Sequence, residues 1–340
     1  MSRLRLWLLS LALWLMSAAA LAQPHGHDDA MASRDLALSI PAVPADYATQ
    51  QLGPLAVSYP RAMRPVFAEA LARAERDARA VGAPLGMPEL PRLSVRLVPD
   101  AAAMRALSPP ELPPPQYAAG VAYPSIGLTL VSARAPSTGD ATRVAQVLRH
   151  ELAHLAWGAA TGQAAGPRWF TEGLAVEQSG EQSFERFQSM AQASFTRGLA
   201  PWPQLDGRFG GSTEQVDLAY AQGADIVAWL LRRDGPGRFA VLAERLRGGE
   251  QFPEAMRTAF GASVATLEEQ WREDVRSRFA LAPIWAGSGL VTVVFLLMMG
   301  AASLRRWRRS AKTRERWAAE ERARRQPPRW VVVTPGMRGE

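Results

Sequence analysis

Arg149 to Trp157 read RHELAHLAW, inside an alanine-rich amphipathic stretch that is otherwise an ordinary helix. Two of the chain's four histidines stand here, four residues apart, with a glutamate beside the first. On a helix, positions 150 and 154 differ by roughly 400°, so His150 and His154 project from nearly the same side. Two imidazoles so placed can share one metal ion, and Glu151 stands where a carboxylate can take a proton from a water that the metal activates. A catalytic zinc site normally takes three protein ligands and leaves a fourth position open. The motif therefore requires a third ligand from elsewhere in the chain.

The 340 residues contain no cysteine, which excludes disulfides, thiolate zinc sites and cysteine nucleophiles. The two remaining histidines, His25 and His27, sit in HGHDD (His25 to Asp29), within a stretch from Gln23 to about Ala48 that reads as a flexible linker. The third ligand is therefore expected to be a carboxylate. The first acidic residue after Glu151 is Glu172, in PRWFTEGLAVE (Pro167 to Glu177), where Pro167 marks a turn and Thr171 to Val176 reads as the next helix. A carboxylate on a second helix packed against the first is suited to complete a two-His, one-Glu site. HExxH followed by 17 residues and then E-G-x-A is far more specific than HExxH alone. Trp169 and Phe170 read as core packing.

Upstream of this junction the pattern is strand-rich. Leu55 to Tyr59, Leu93 to Val98, Ala119 to Tyr123 and Gly127 to Val131 read as strands, the last two around a Pro124-Ser125 turn. Pro65 to Val81 reads as a helix burying Val66, Phe67, Leu71 and Ala74, with Ala101 to Leu107 a shorter one. Asp140 is the expected N-cap of the histidine helix. Downstream the chain reads as helical, with Ala219 to Arg232, Arg238 to Leu246, Gln251 to Phe260 and Ser263 to about Arg278, interrupted by GLAPWPQLDGRFGG (Gly198 to Gly211). The expected class is α+β, a small mixed sheet followed by a mostly helical half, with a domain over residues 49–278.

The two ends carry a different message. Residues 1–22 have a basic start, an apolar run and Ala20-Leu21-Ala22, the pattern of a secretory signal peptide; an uncleaved anchor is the alternative. Phe279 to Leu304 holds no charged residue. Its core, Ile284 to Ser303, supplies about 20 residues or roughly 30 Å of helix, enough for one transmembrane span. Four arginines, Arg305, Arg306, Arg308 and Arg309, follow it, which places the tail 304–340 in the cytoplasm and the preceding domain outside, in a bacterial periplasm. Trp307 and Trp317 allow that tail to lie on anionic lipid, although a solvated flank is the simpler reading. The basicity belongs to these ends. Residues 304–340 hold twelve Arg or Lys against four acidic residues and residues 1–22 hold two arginines, so of the net +7 the middle keeps −3. A mildly acidic middle gives no support for nucleic-acid binding. Oligomeric state is open.

HELAH (His150 to His154) together with WFTEGLA (Trp169 to Ala175) resembles the gluzincin zinc peptidases, in the style of compact peptidase MA-like hydrolases related to thermolysin and the zinc aminopeptidases. The resemblance spans roughly residues 50 to 277. It implies a thermolysin-like zincin catalytic domain with one Zn²⁺ held by His150, His154 and Glu172 and with Glu151 as general base. AYAQGADIVAWLL (Ala219 to Leu231) resembles a family element in which a tyrosine at the start of a helix hydrogen-bonds the oxyanion, which implies that role for Tyr220. AAGVAY (Ala118 to Tyr123) resembles the edge strand that pairs with substrate backbone, which implies substrate contacts at Gly120, Val121 and Ala122. The acidic residue that many thermolysin-like enzymes carry four positions after the third ligand is absent, because Val176 stands there. The implied activity is hydrolysis of a peptide or protein substrate in the cell envelope. Two alternatives stay open: a membrane-anchored binding module with a structural or vestigial zinc site, and a zinc amidase on non-peptide envelope polymers.

Overall fold

The computed structural model describes residues 38–134, 143–164, 166–180, 189–194, 198–279 and 298–301. The chain divides into two compact units, Met1–Phe279 and Ala280–Glu340. In the first unit five strands come early: β1 (Tyr47–Leu52), β2 (Leu55–Pro60), β3 (Leu93–Val98), β4 (Gly120–Tyr123) and β5 (Leu128–Ser132). Helices α1 (Ala68–Gly82) and α2 (Ala101–Leu107) lie between them. Then follow α3 (Val144–Thr161), α4 (Arg168–Ser179), α5 (Thr213–Asp234), α6 (Gly237–Arg247), α7 (Phe252–Phe260) and α8 (Val264–Phe279). This is the expected α+β arrangement of a small mixed sheet and a mostly helical remainder.

The sheet order is β1-β2-β3-β5-β4. β1 and β2 form an antiparallel hairpin, and Gly53, with φ 57, takes the left-handed position at its two-residue turn. β2, β3 and β5 run parallel, and β4 folds back antiparallel on β5, which leaves β4 at the sheet edge. Val98, Met104, Leu107, Val121, Tyr123, Leu128 and Leu130 form the core under α2. Because strand residues alternate between faces, Gly120 and Ala122 face the opposite way from Val121 and Tyr123. That opposite side of β4 and β5 is where α3 packs, with α1 alongside it.

Several boundaries differ from those the sequence suggests. The linker reading ends too late, because Tyr47 is already a buried strand residue and Pro41 accepts a hydrogen bond from the buried Arg96. α1 starts at Ala68 rather than Pro65, after a 3₁₀ turn at Arg61–Met63, and Val66 is 56% exposed rather than buried. α4 begins at Arg168, three residues before Thr171. α5 begins at Thr213, so Tyr220 lies two turns inside a 22-residue helix rather than at its start. Gly198 to Gly211 breaks the helical pattern as expected, and it holds 3₁₀ turns at Trp202–Gln204 and Asp206–Gly210.

Asp140, the signal segment 1–22, the basic tail 304–340 and most of the expected span 284–303 lie outside the described residues. Of that span only residues 298–301 are described, and they are helical. Among the described residues, no helix is long and apolar enough to cross a membrane.

Candidate metal centre

α3 carries the first half of the centre. Most of its 18 residues are buried, as a helix wedged between a sheet and other helices must be. Small residues at Ala145, Ala153, Ala156 and Gly158 allow the close packing, and Gly162 (φ 62) closes the helix in the left-handed conformation. Arg149, beside the first histidine, reaches to 3.6 Å from Asp77, which is buried on α1. α4 supplies the second half. Its first turn is buried in an aromatic cluster in which Phe170 lies 5.2 Å from Trp157 and Trp169 lies 5.2 Å from Trp202. Trp169 and Phe170 are therefore core residues, at 2% and 0% exposure.

The three expected ligand residues converge. His150 Nε2 and His154 Nε2 are 3.2 Å apart, and Glu172 Oε2 lies 3.6 Å from each. The point equidistant from these three atoms in their plane is about 2.0 Å from each, which is the length of a zinc bond to imidazole nitrogen or carboxylate oxygen. All three side chains are buried, and among the described residues they form the single His/Asp/Glu group whose ligand atoms come together in this way. The donor set therefore fits Zn²⁺, and three ligands leave the fourth position of a tetrahedron open.

Glu151 is 1% exposed and lies against β4. A Cβ added at Gly120 would stand 2.5 Å from Glu151 Oε1 and 2.7 Å from Val147, so the edge strand reaches the carboxylate only because residue 120 is glycine. The Ser132 amide donates to the Ala119 carbonyl at 2.8 Å. The alternation of an antiparallel ladder then turns the backbone groups of Gly120 and Ala122 away from β5, while the Val121 carbonyl faces it and accepts from Thr129. Tyr123 closes the strand with its hydroxyl donating to the Leu112 carbonyl. Burial raises its phenol above the ordinary pKa; hydrogen bonding with Ser108 opposes the rise and the Glu151 charge adds to it.

Tyr220 is buried with its ring edge-on to Phe209 at 5.1 Å. Its helix is locked to α4 by a glycine contact. A Cβ at Gly173 would meet the Gly223 carbonyl at 2.4 Å, and one at Gly223 would meet the Trp169 carbonyl at 2.4 Å. The glycine after the third ligand and the glycine of Tyr-x-x-Gly are thus two halves of one backbone contact. At 176, where an acidic partner was absent from the sequence, a buried valine packs into the core.

Three neighbours of the centre went unread in the sequence. Arg168 Nε stands 3.9 Å from Glu172 Oε1, and its guanidinium lies 4.6 Å over the Phe209 ring. Asp206 accepts from the Arg168 and Trp169 amides at 3.0 and 2.8 Å. Asp206 and Phe209 stand in a stretch whose only sequence signal was a break between helices. Arg168 carried one usable cue, its position one turn before Glu172 on the same helix.

Comparison with curated proteins gives no match. A family model does match: that of the peptidase MA superfamily, over residues 102–277. The matched span takes in β4, β5 and all the residues of the converged cluster, and the chain belongs to that superfamily.

Proposed function

We propose that this chain is a zinc-dependent metallopeptidase of the gluzincin, thermolysin-like kind. It hydrolyses peptide bonds with His150, His154 and Glu172 as metal ligands and Glu151 as general base. The observation that carries this reading is the triangle of two imidazole nitrogens and one carboxylate oxygen sized for a zinc ion, with a buried glutamate one residue from the first histidine. Three converging ligands favour an open, catalytic centre over a closed structural one, which normally takes four.

Zn²⁺ in this position supplies Lewis acidity, polarising a carbonyl and lowering the pKa of water toward neutrality. Glu151 accepts a proton from the attacking water and delivers it to the leaving amine nitrogen. The outward backbone groups of Gly120 and Ala122, with Val121 between them, hold an extended peptide alongside Glu151. Tyr220 donates a hydrogen bond from its hydroxyl to the oxygen that gains charge at the scissile carbonyl. The membrane part of the reading rests on sequence: a signal peptide over 1–22, a single span over 284–303 and an Arg-rich tail over 304–340. It tethers the enzyme to the bacterial inner membrane with the catalytic domain in the periplasm, so the substrate is a peptide or protein of the envelope.

The test is Glu151→Gln in the full-length chain. Zinc content and thermal stability are expected to stay at wild-type level while hydrolysis of an unfolded-protein or peptide library falls by about 10² or more. Undiminished hydrolysis would remove Glu151 from the mechanism. Zinc binding with no peptide hydrolysis by wild type would favour the binding-module reading, and cleavage confined to envelope polymers the amidase.

A further inference from the structure

A helix leaves its first four amides without intrahelical partners, and they are usually satisfied by the side chain just before the helix. α4 begins after Pro167, which has no side-chain oxygen to offer. Its third and fourth amides, Phe170 and Thr171, donate to the Pro167 carbonyl at 3.1 and 3.2 Å. The first two, Arg168 and Trp169, donate to the two carboxylate oxygens of Asp206, 38 and 37 residues away. Asp206 also places a negative charge at the positive end of the helix dipole. One turn on from Arg168 stands Glu172.

The segment bearing Asp206 is itself held at several points. Gln222, fully buried on α5, both donates to the Ala200 carbonyl at 2.6 Å and accepts from the Ala200 amide at 3.0 Å. Arg272 of α8 donates to the same carbonyl at 3.0 Å. The Trp202 amide donates to Glu268 at 3.0 Å, and the Trp202 ring packs on Trp169. Beyond Asp206, the Phe209 ring meets both the Arg168 guanidinium and the ring of Tyr220. This strap touches α4, α5 and α8, and Asp206 meets the α4 backbone at the turn leading into Glu172.

We propose that Asp206 is a positioning residue for the metal centre, fixing the first turn of α4 and through it the carboxylate of Glu172. The inference rests on the zinc reading above. An ordinary cap would add stability only; a positioning cap also sets how tightly the ion is held.

The experiment measures zinc affinity of the full-length chain by competition with a chromophoric chelator, alongside thermal stability. It compares wild type, Asp206→Ala, Asp206→Asn and Asp100→Ala. Asp100 is the matched control: it caps α2 by accepting from the Ala103 amide at 2.9 Å, and α2 carries no residue of the centre. Both alanine variants are expected to melt earlier than wild type. Asp206→Ala should bind zinc roughly tenfold more weakly, Asp206→Asn by a smaller factor because its amide keeps one acceptor oxygen, and Asp100→Ala should bind as wild type does. If Asp206→Ala does not fold, Asp206→Asn carries the comparison. Wild-type affinity in the Asp206 variants, or equal weakening in Asp100→Ala, would overturn the proposal. A wild-type chain that takes up no zinc would instead sink the metal centre on which it rests.

Discussion

The position of Glu151 depends on an atom that Gly120 does not have. With a Cβ, residue 120 would stand 2.5 Å from Glu151 Oε1 and 2.9 Å from its Cγ, so either the carboxylate or the edge strand has to move. Gly120→Ala should therefore destabilise the fold by about 1–3 kcal/mol, as overpacking does. It should lower kcat while leaving zinc content intact, because a Cβ at 120 crowds Glu151, the proposed general base, which stands outside the His150, His154 and Glu172 group. Denaturant midpoints and steady-state kinetics on the same preparation check this, and unchanged turnover would mean that Glu151 tolerates displacement. At this scale the sequence was most informative. His150 and His154 follow from a four-residue spacing on one helix face, Glu151 from its place beside the first of them, and Glu172 from being the first acidic residue after them, on the next expected helix. Asp206 and Phe209 were illegible, because nothing local to a turn-rich stretch says which distant helix it will cap or which side chain it will lie under.

Among the elements, the junction of α4 and α5 sets how the helix of Glu172 lies against the helix of Tyr220. Gly173 and Gly223 let two helix backbones touch, and the atoms a side chain would strike are carbonyl carbon, carbonyl oxygen and amide nitrogen. Backbone atoms of packed helices cannot rotate aside as a flexible side chain can. Gly223→Ala is expected to destabilise by about 1–3 kcal/mol or more, even though alanine is the better helix former by up to about 1 kcal/mol. The sign of that change, read from urea unfolding, separates the two effects; a stabilised variant would show that the helices do not approach this closely. The misread elements share a physical cause. β1 has one buried side chain, Tyr47, so its alternation is too faint to read as a strand. The early start of α5 is set by a capping box, Ser212 with Gln215, that precedes any apolar periodicity. β3 and α2, with regular alternation and an Asp100 cap respectively, start and end where the sequence puts them.

For the molecule as a whole, the metal would tie together α3 and α4, consecutive helices that already pack on each other. His150 and His154 belong to the helix that packs on the sheet, and Glu172 to the one that packs on the helical half. An ion bound by the folded chain alone adds stability as RT ln(1 + [L]/Kd), about 2.7 kcal/mol at a hundredfold excess over Kd. A three-ligand zinc centre shows itself in zinc stoichiometry at equilibrium, measured in wild type, Glu172→Ala and Glu151→Gln. One zinc per chain is expected in wild type and in Glu151→Gln, with its loss or severe weakening in Glu172→Ala. A Glu172→Ala chain that holds zinc as tightly as wild type, or a wild type that holds none, would contradict such a centre.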